Sequence, residues 1–376
     1  MVFVHSGAGG GHTASANALR EAIEERRAPM DIVAADLQEI LLPADFVRRI
    51  TGMSVEDHYN RMLRSGATIG MRQMLRFGQL FMRLRHSEIV KLLQTYWEGV
   101  QPSMVVSFIP NFNRALRESL GRSFPHAPFV TVMTDLADFP PHFWIEPQDQ
   151  HIVCGTARAA EQAREAGFAP QRVWRTSGMI VNPRFYRSSA CDRARERVRR
   201  GLLPELPTGL VCFGAQGSRA IRTIVDALER STERLQLICL CGRDESLAAG
   251  LRGRARRIPV LVEGFTTEMP YFMRLADFFI GKPGPGIISE ALVMKLPMIV
   301  ECNLRSLPWE RFNAAWILAN GLGIVVRSFR SIAEAAAHLL APEVHEKLRE
   351  NVERMENRAV FEAADILQEL LRASSA

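Results

Sequence analysis

Short apolar runs alternate with amphipathic stretches along most of this chain. Residues 2–5, 104–108, 129–134 and 151–155 are apolar, rich in β-branched side chains and of strand length. The stretches between them carry apolar residues at helical spacing. Strands that alternate with helices predict an α/β fold with a parallel, doubly wound sheet in the first half.

The pattern breaks around residues 182–208, where Asn182 and Pro183 precede a basic helical stretch and a turn-rich segment. Apolar runs of strand length then begin again, at residues 209–214, 236–242, 259–265 and 278–280. We therefore predict a first domain over residues 1–185 and a second, of the same Rossmann-like class, over residues 186–350. Such domains bind ligands at the carboxyl ends of their strands, so a cleft between the two domains is the expected site.

The strongest local signal is the Gly/Pro cluster at residues 281–286, which lies between an apolar run and a helical pattern predicted to start at Ile287. Four free amides at a helix start, beside glycines that permit close approach, can hold a phosphate. Glu290 is expected in the first turn, where it favours the positive helix end or binds a hydroxyl. The alternative is a turn that merely packs.

The second glycine loop of this domain covers residues 214–218, with Arg219 following. Gly214 and Gly217 permit tight backbone approach, and Ser218 offers a hydroxyl. Alone this signal is weak, but two anion-holding loops at one sheet edge suit a diphosphate. Glu310 and Asn313 are three residues apart at a helix start, where they suit a polyhydroxylated ligand or, alternatively, cap a surface helix.

In the first domain, His12 directly follows the glycine loop of residues 6–11. At a helix start the positive helix end lowers the pKa of an imidazole, so His12 is a candidate general base, or else it caps its own loop. Asp135 and Asp138 follow a strand; they hold His12 or His142 by a hydrogen bond, or cap a turn. The other histidines show no metal-ligand spacing.

Composition excludes several classes of protein. The chain has 376 residues, of which 47% are hydrophobic and 23% charged, as in a globular protein with ample core. No stretch approaches the roughly 20 apolar residues of a spanning helix. Because Met1 leads straight into a strand and a glycine loop, we expect no secretory signal peptide and a cytoplasmic protein. The six cysteines form no C-x-x-C pair and are expected to be reduced.

The net charge of +6 arises within residues 46–91, which carry nine Lys/Arg against three Asp/Glu. Met, Phe and Leu interleave with these cations, which suits the surface of an anionic membrane. The alternative is a solvated face over an ordinary core. Nucleic acid is not expected as a partner, because no aromatic-interleaved binding motif accompanies the charge.

These motifs coincide with those of a known family. In order along the chain, SGAGGGHTASANAL, TDLADFPPHFW, GAQGS, VEGFTTEMPYFMRLADFFIGKPGPGIISEAL and PWERFNAAW resemble the diacylglycerol glycosyltransferases. That family includes plant monogalactosyldiacylglycerol synthases and bacterial processive glucosyltransferases, and it is similar to the peptidoglycan glycosyltransferase MurG. The resemblance implies a GT-B fold, in which residues 351–376 form a helix that returns to the first domain.

The resemblance also assigns roles to individual residues. The Phe265 backbone would meet uracil, Glu290 would bind the ribose hydroxyls, and Glu310 and Asn313 would bind the sugar. The diphosphate would lie against the two loops, at Gly214, Gln216, Gly217, Ser218, Gly284, Pro285, Gly286 and Ile287. His12 would deprotonate the acceptor, with Asp135 as the second candidate catalytic residue. Trp309 departs from the family, because many relatives carry glutamine there.

The resulting hypothesis is an inverting transfer of galactose or glucose from its UDP form to diacylglycerol, without metal or cofactor other than the donor substrate. The protein would act peripherally on the cytoplasmic face of the inner membrane and contact anionic lipid through residues 46–91. Two enzymatic alternatives are a MurG-like transferase for another lipid-linked acceptor and a UDP-sugar epimerase. An alternative of another class is a non-catalytic UDP-sugar-binding membrane protein.

Overall fold

The computed structural model describes residues 1–7, 10–26, 30–44, 82–187, 192–253, 256–304 and 306–375. The chain forms two compact units. The first contains residues 1–183, 307–309 and 357–376; the second contains residues 184–306 and 310–356. Among the described residues, each unit is built on a parallel sheet of six strands. The predicted pair of α/β domains is confirmed.

The first sheet has the strand order β2-β1-β3-β4-β5-β6. Its strands are β1 (Val2–His5), β2 (Val33–Asp36), β3 (Val105–Ser107), β4 (Phe129–Val132), β5 (His151–Cys154) and β6 (Val173–Arg175). The helices that follow these strands or flank the sheet are α1 (Gly11–Glu25), α2 (Leu37–Leu41), α3 (His86–Val100), α4 (Asn113–Ser123) and α5 (Ala157–Glu165).

Helix α3 shows why this unit packs as it does. Its apolar residues Ile89, Val90, Leu93 and Trp97 are buried, and their spacing places them on one face of the helix. They join the strand residues of β1 and β3 in one core cluster. The buried indole of Trp97 donates a 2.8 Å hydrogen bond to Oγ of Ser119 on α4, so its polar atom is satisfied inside the core.

The second sheet has the strand order β12-β11-β10-β7-β8-β9. Its strands are β7 (Thr208–Cys212), β8 (Gln236–Leu240), β9 (Val260–Glu263), β10 (Phe278–Gly281), β11 (Met298–Glu301) and β12 (Gly323–Val326). The helices of this unit are α6 (Arg193–Arg199), α7 (Ala220–Arg230), α8 (Glu245–Arg252), α9 (Met269–Leu275), α10 (Pro285–Val293), α12 (Ile332–Leu340) and α13 (Pro342–Arg354), together with α11 (Pro308–Ala319) from Glu310 onwards.

Both sheets reverse their strand order at one point, and this point fixes where ligands can bind. In the first sheet the reversal lies between β1 and β3, and in the second between β7 and β10. In open parallel sheets, ligands bind beyond the carboxyl ends of the strands at such a reversal. The glycine loop before His12 follows β1, and the loops at residues 213–219 and 282–284 follow β7 and β10.

The last helix, α14 (Ala359–Ser375), belongs to the first unit and packs against α1. Asp365 of α14 pairs with Arg26 at the end of α1. Glu362 accepts a 2.6 Å hydrogen bond from the amide of Ser177, and Asn357 donates a 3.0 Å hydrogen bond to the carbonyl of Met179. The predicted return of the chain to its first domain is therefore confirmed.

The basic segment lies mostly outside the described residues, which exclude residues 45–81. Its described end contains Arg83 and Leu84, both exposed, and the Leu84 side chain is 74% exposed. Within the described part of the chain, every helix is too short or too polar to cross a bilayer.

Candidate active site

The loop after β7 in the second unit is closed by its own backbone. Gly214 and Gly217 both have positive φ, 86° and 70°, and the amide of Gly217 donates a 3.1 Å hydrogen bond to the carbonyl of Gly214. The Ser218 hydroxyl accepts a 3.2 Å hydrogen bond from the amide of Ala220 at the start of α7. Gln216 at the tip of the loop is exposed. The loop is thus a rigid turn whose tip faces solvent.

This loop is interlocked with the turn after β8. A Cβ atom at Gly217 would lie 2.1 Å from the carbonyl oxygen of Cys241, and a Cβ atom at Gly242 would lie 2.4 Å from that of Ala215. The same Ala215 carbonyl accepts a 2.9 Å hydrogen bond from the amide of Arg243. Both positions require glycine, because two backbones pass within contact distance.

The loop after β10 opens into α10, which begins at Pro285 with Gly284 as its N-cap. The helix start was predicted at Ile287, and that prediction is wrong by two residues because proline suits the first helical position. Pro285 has no N–H, and the amide of Ile288 donates to the carbonyl of Gly284 at 3.1 Å. The amides of Gly286 and Ile287 form no backbone hydrogen bond with any described residue. Among the described residues the amide of Gly284 likewise forms none, so the expected anion site has three such amides rather than four.

Glu290 lies in the second turn of α10, so its prediction in the first turn is wrong. The helix N-terminus therefore has no carboxylate of its own within that turn. Burial raises the pKa of the Glu290 carboxyl to about 7, and the positive charge of Arg184 partly offsets this rise. A carboxyl whose pKa is raised this far can carry a proton near neutral pH, so it can either donate to or accept from a ligand hydroxyl.

Asn313 supports the β10 loop from α11. It is buried, with 1% of its surface exposed, and its side-chain amide donates a 2.8 Å hydrogen bond to the carbonyl of Pro283. Its amide was predicted to meet a sugar, whereas the structure places that group on the loop backbone. Glu310 lies one turn earlier, in the first turn of α11, and is half-buried.

Phe265 follows β9 and exposes half of its surface, 50%. The guanidinium of Arg243 lies over its ring, 4.9 Å from the centroid, in a cation–π contact. Arg243 and Arg184 did not appear among the predicted site residues. Arg243 follows Gly242 directly after a strand, and this strand-Gly-Arg pattern is the signal that could have found it.

In the first unit, His12 occupies the first turn of α1, whose N-cap is Gly10 with φ of 76°. Its Nδ1 atom lies 2.9 Å from Oγ1 of Thr134, at hydrogen-bonding distance. Burial lowers the pKa of His12 to about 4, and a hydrogen bond with the backbone of Phe108 opposes this in part. The imidazole is therefore neutral at physiological pH, as a general base requires.

Asp135 and Asp138 lie in the same segment, but their carboxylates accept hydrogen bonds from different groups. Asp135 is buried and accepts a 2.8 Å hydrogen bond from the indole N–H of Trp144, whose ring packs against His12 with centroids 5.7 Å apart. Asp138 accepts hydrogen bonds from three consecutive amides, those of His142, Phe143 and Trp144. Asp138 thus caps a turn, and Asp135 anchors the indole beside His12.

Residues 307–309 belong to the first unit, and there Trp309 stacks on Phe143. The ring centroids are 5.7 Å apart and the planes differ by 12°. A glutamine at this position would offer an amide, whereas the indole offers an aromatic face. Within the described residues, no group of three or more His, Cys, Asp or Glu side chains is arranged to hold a metal ion.

Comparison with known proteins gives a consistent result. Residues 208–370 match the glycosyltransferase family 28 C-terminal domain. The chain is 28% identical to the chloroplastic monogalactosyldiacylglycerol synthase of Spinacia oleracea, over 99% of this chain and 72% of that protein.

Two solved structures share the fold. MurG of Acinetobacter baumannii aligns with a TM-score of 0.61 at 14% identity, over 98% of this chain and 99% of that one. MnaA of S. aureus in complex with UDP aligns with a TM-score of 0.61 at 15% identity, over 99% of this chain and 96% of that one. The predicted GT-B fold and the predicted hexosyltransferase class are confirmed. Sequence and fold agree: nearly the whole chain is similar to a monogalactosyldiacylglycerol synthase, and its second half carries a glycosyltransferase family 28 C-terminal domain.

Proposed function

We propose that the protein transfers galactose or glucose from its UDP form to diacylglycerol at an anionic membrane surface, with inversion and without a metal ion. The observation that carries this proposal is the pair of glycine loops after β7 and β10, which flank the reversal point of the second sheet. Such a pair suits a diphosphate. The similarity to the spinach galactolipid synthase supports diacylglycerol as the acceptor.

The donor would be held by the second unit. The amides of Gly286 and Ile287, the tip of the 214–218 loop and the positive charge of Arg184 would bind the diphosphate. Glu290 would bind the ribose hydroxyls, and Phe265 would lie beside uracil. Asn313 would act by holding the loop in place. Glu310 would bind the sugar directly.

The chemical step is a single displacement. Neutral His12 takes the proton of the acceptor hydroxyl as the acceptor oxygen attacks the anomeric carbon. The bond from that carbon to the UDP oxygen breaks, and UDP leaves with the electron pair. Attack from the face opposite to the leaving group inverts the anomeric centre. Preorganised amides and cations stabilise the charge that develops on UDP, which supports a reaction without metal.

Membrane binding is proposed to use residues 46–91. Support comes from the excess of Lys and Arg in this segment and from Arg83 and the exposed Leu84 at its described end. A cation beside an apolar side chain suits the boundary between headgroups and acyl chains. Binding would hold the enzyme where diacylglycerol is found.

A donor and acceptor panel tests the function. The full chain is incubated with UDP-galactose, UDP-glucose or UDP-N-acetylglucosamine and with vesicles that contain diacylglycerol, in buffer with and without a chelator. We expect hexosyl-diacylglycerol from UDP-galactose or UDP-glucose, in equal amount in both buffers. Unchanged diacylglycerol with every donor contradicts the acceptor, and loss of product with the chelator contradicts metal independence.

A further inference from the structure

His12 is held by a neutral hydroxyl. The hydroxyl of Thr134 lies at hydrogen-bonding distance from His12, with 2.9 Å between Oγ1 and the imidazole Nδ1. Thr134 follows β4 and is 9% exposed, so its own position is fixed by packing. The two residues are 122 positions apart in the chain, and the fold brings them together.

The nearby carboxylate has another partner. Asp135, the next residue, accepts the indole N–H of Trp144 at 2.8 Å. That indole and the imidazole pack in a T-shaped arrangement, with the two planes 61° apart. The described groups around His12 thus include a hydroxyl, the backbone of Phe108 and an aromatic ring.

We propose that Thr134 is the positioning residue for His12: its hydroxyl fixes the imidazole orientation needed to take the acceptor proton. This inference rests on the proposed function, because it requires His12 to be the base. A hydroxyl partner orients the ring and carries no charge, so it does not favour the imidazolium form as a carboxylate would. Orientation matters because misplacement of a reacting group by about 1 Å can cost on the order of 100-fold in rate.

A second buried threonine, on strand β4, provides a matched control for Thr134. Thr131 lies on β4, is fully buried and donates a 3.0 Å hydrogen bond to Oε1 of Gln150. Thr131→Val and Thr134→Val each replace one buried hydroxyl with a methyl group. Thr131→Val removes the hydrogen bond to Gln150, and Thr134→Val removes the one to His12. The conservative variant Thr134→Ser keeps that hydroxyl.

The experiment compares these three variants with the unmodified chain and with His12→Ala, using kcat, donor KM and the ¹⁵N resonances of the His12 ring. We expect Thr134→Val to lower kcat about 100-fold with donor KM unchanged, and to shift the Nδ1 resonance. Thr134→Ser should keep kcat within a few-fold, and Thr131→Val should leave kcat and the His12 resonances as they are.

Three results overturn the inference: an unchanged kcat in Thr134→Val, an equal loss in Thr134→Ser, or an equal loss in Thr131→Val. His12→Ala separates this inference from the proposed function. If His12→Ala keeps full activity, the assignment of the base is wrong. If His12→Ala is inactive and Thr134→Val is fully active, the positioning role alone is wrong.

Discussion

The side-chain amide of Asn313 donates a 2.8 Å hydrogen bond to the carbonyl oxygen of Pro283, and this bond ties α11 to the loop before α10. Both groups are buried, Asn313 with 1% of its surface exposed. A buried carbonyl that loses its donor is costly, so the bond fixes the loop backbone. The amides of Gly286 and Ile287 follow directly, and their direction depends on this loop.

Asn313→Ala is expected to destabilise the protein by about 1–3 kcal/mol, because the Pro283 carbonyl loses its donor. The affinity for UDP, measured by calorimetry, should fall as well, since the loop is no longer held. The control is Asn320→Ala, which removes an exposed side chain bonded to the carbonyl of Trp316 at 2.8 Å. That variant should change stability by less than about 0.5 kcal/mol. Equal effects of the two variants would contradict the role of Asn313.

Glu290 should make stability depend on pH. Its pKa is about 7 in the folded protein against 4.5 for the free side chain, so the folded state keeps a proton that the unfolded chain releases. Stability from this group is therefore present below pH 4.5 and is lost as pH rises to about 7, by up to about 3 kcal/mol. Urea unfolding at pH 5 and pH 8 measures the loss.

Two glutamine variants isolate this contribution. Glu290→Gln should be less sensitive to pH between these values than the unmodified chain, because glutamine does not titrate. Glu334→Gln changes an exposed carboxylate on α12 and should keep the full pH dependence. If Glu290→Gln has the same pH dependence as the unmodified chain, Glu290 is not the group responsible.

Alanine substitutions at Gly214 and Gly217 distinguish the cost of a left-handed backbone from the cost of steric overlap. Both have positive φ, but a Cβ atom at Gly217 would lie 2.1 Å from the Cys241 carbonyl oxygen, while one at Gly214 has open space within 4 Å. Gly214→Ala should cost about 1–2 kcal/mol of stability from the left-handed backbone alone. Gly217→Ala should cost about 1–3 kcal/mol more, because the interlocked turns must separate. Equal losses would show that the turns can move apart freely.

His12→Ala should lower the rate of sugar transfer by roughly 10²–10⁴-fold, with UDP affinity unchanged, because a general base contributes about that factor. The unmodified enzyme should lose rate as pH falls through about 4, where His12 gains its proton, with no loss near pH 6.5 from this group. The rate of sugar transfer, measured as a function of pH for the unmodified enzyme and for His12→Ala, tests both expectations. His126→Ala, at an exposed site between α4 and β4, is the control and should keep full activity.

The fold class follows from the sequence because central parallel strands such as β4, β7 and β10 are fully buried and so read as apolar runs. The loop of residues 214–218 was also visible in the sequence, because Gly217 lies where two backbones touch and no other residue fits. A buried strand and a tight glycine turn each leave a pattern within a few neighbouring residues. Such local patterns can be recognised in a single sequence. The two sheets and their ligand-binding edges were predictable for this reason.

Contacts between distant segments were not predictable in the same way. Thr134 meets His12 across 122 residues, and Arg243 meets Phe265 from the neighbouring strand. The strand-Gly-Arg pattern can mark Arg243 as a candidate, but it does not identify the residue that Arg243 contacts. Glu290 was misplaced by one turn for a different reason, because Pro285 was taken as part of the loop. Proline also suits the first helical position, and tertiary packing decides between the two.

The anomeric configuration of the lipid product shows whether the sugar is transferred by direct displacement. The full chain is incubated with diacylglycerol vesicles and UDP-galactose or UDP-glucose, in which the sugar is α-linked, and the product is examined by mass spectrometry and proton NMR. We predict one hexose joined to diacylglycerol by a β-linkage. An α-linked product would contradict direct displacement with His12 as the base, and a UDP-sugar converted to another UDP-sugar, with diacylglycerol unchanged, would contradict the transferase itself.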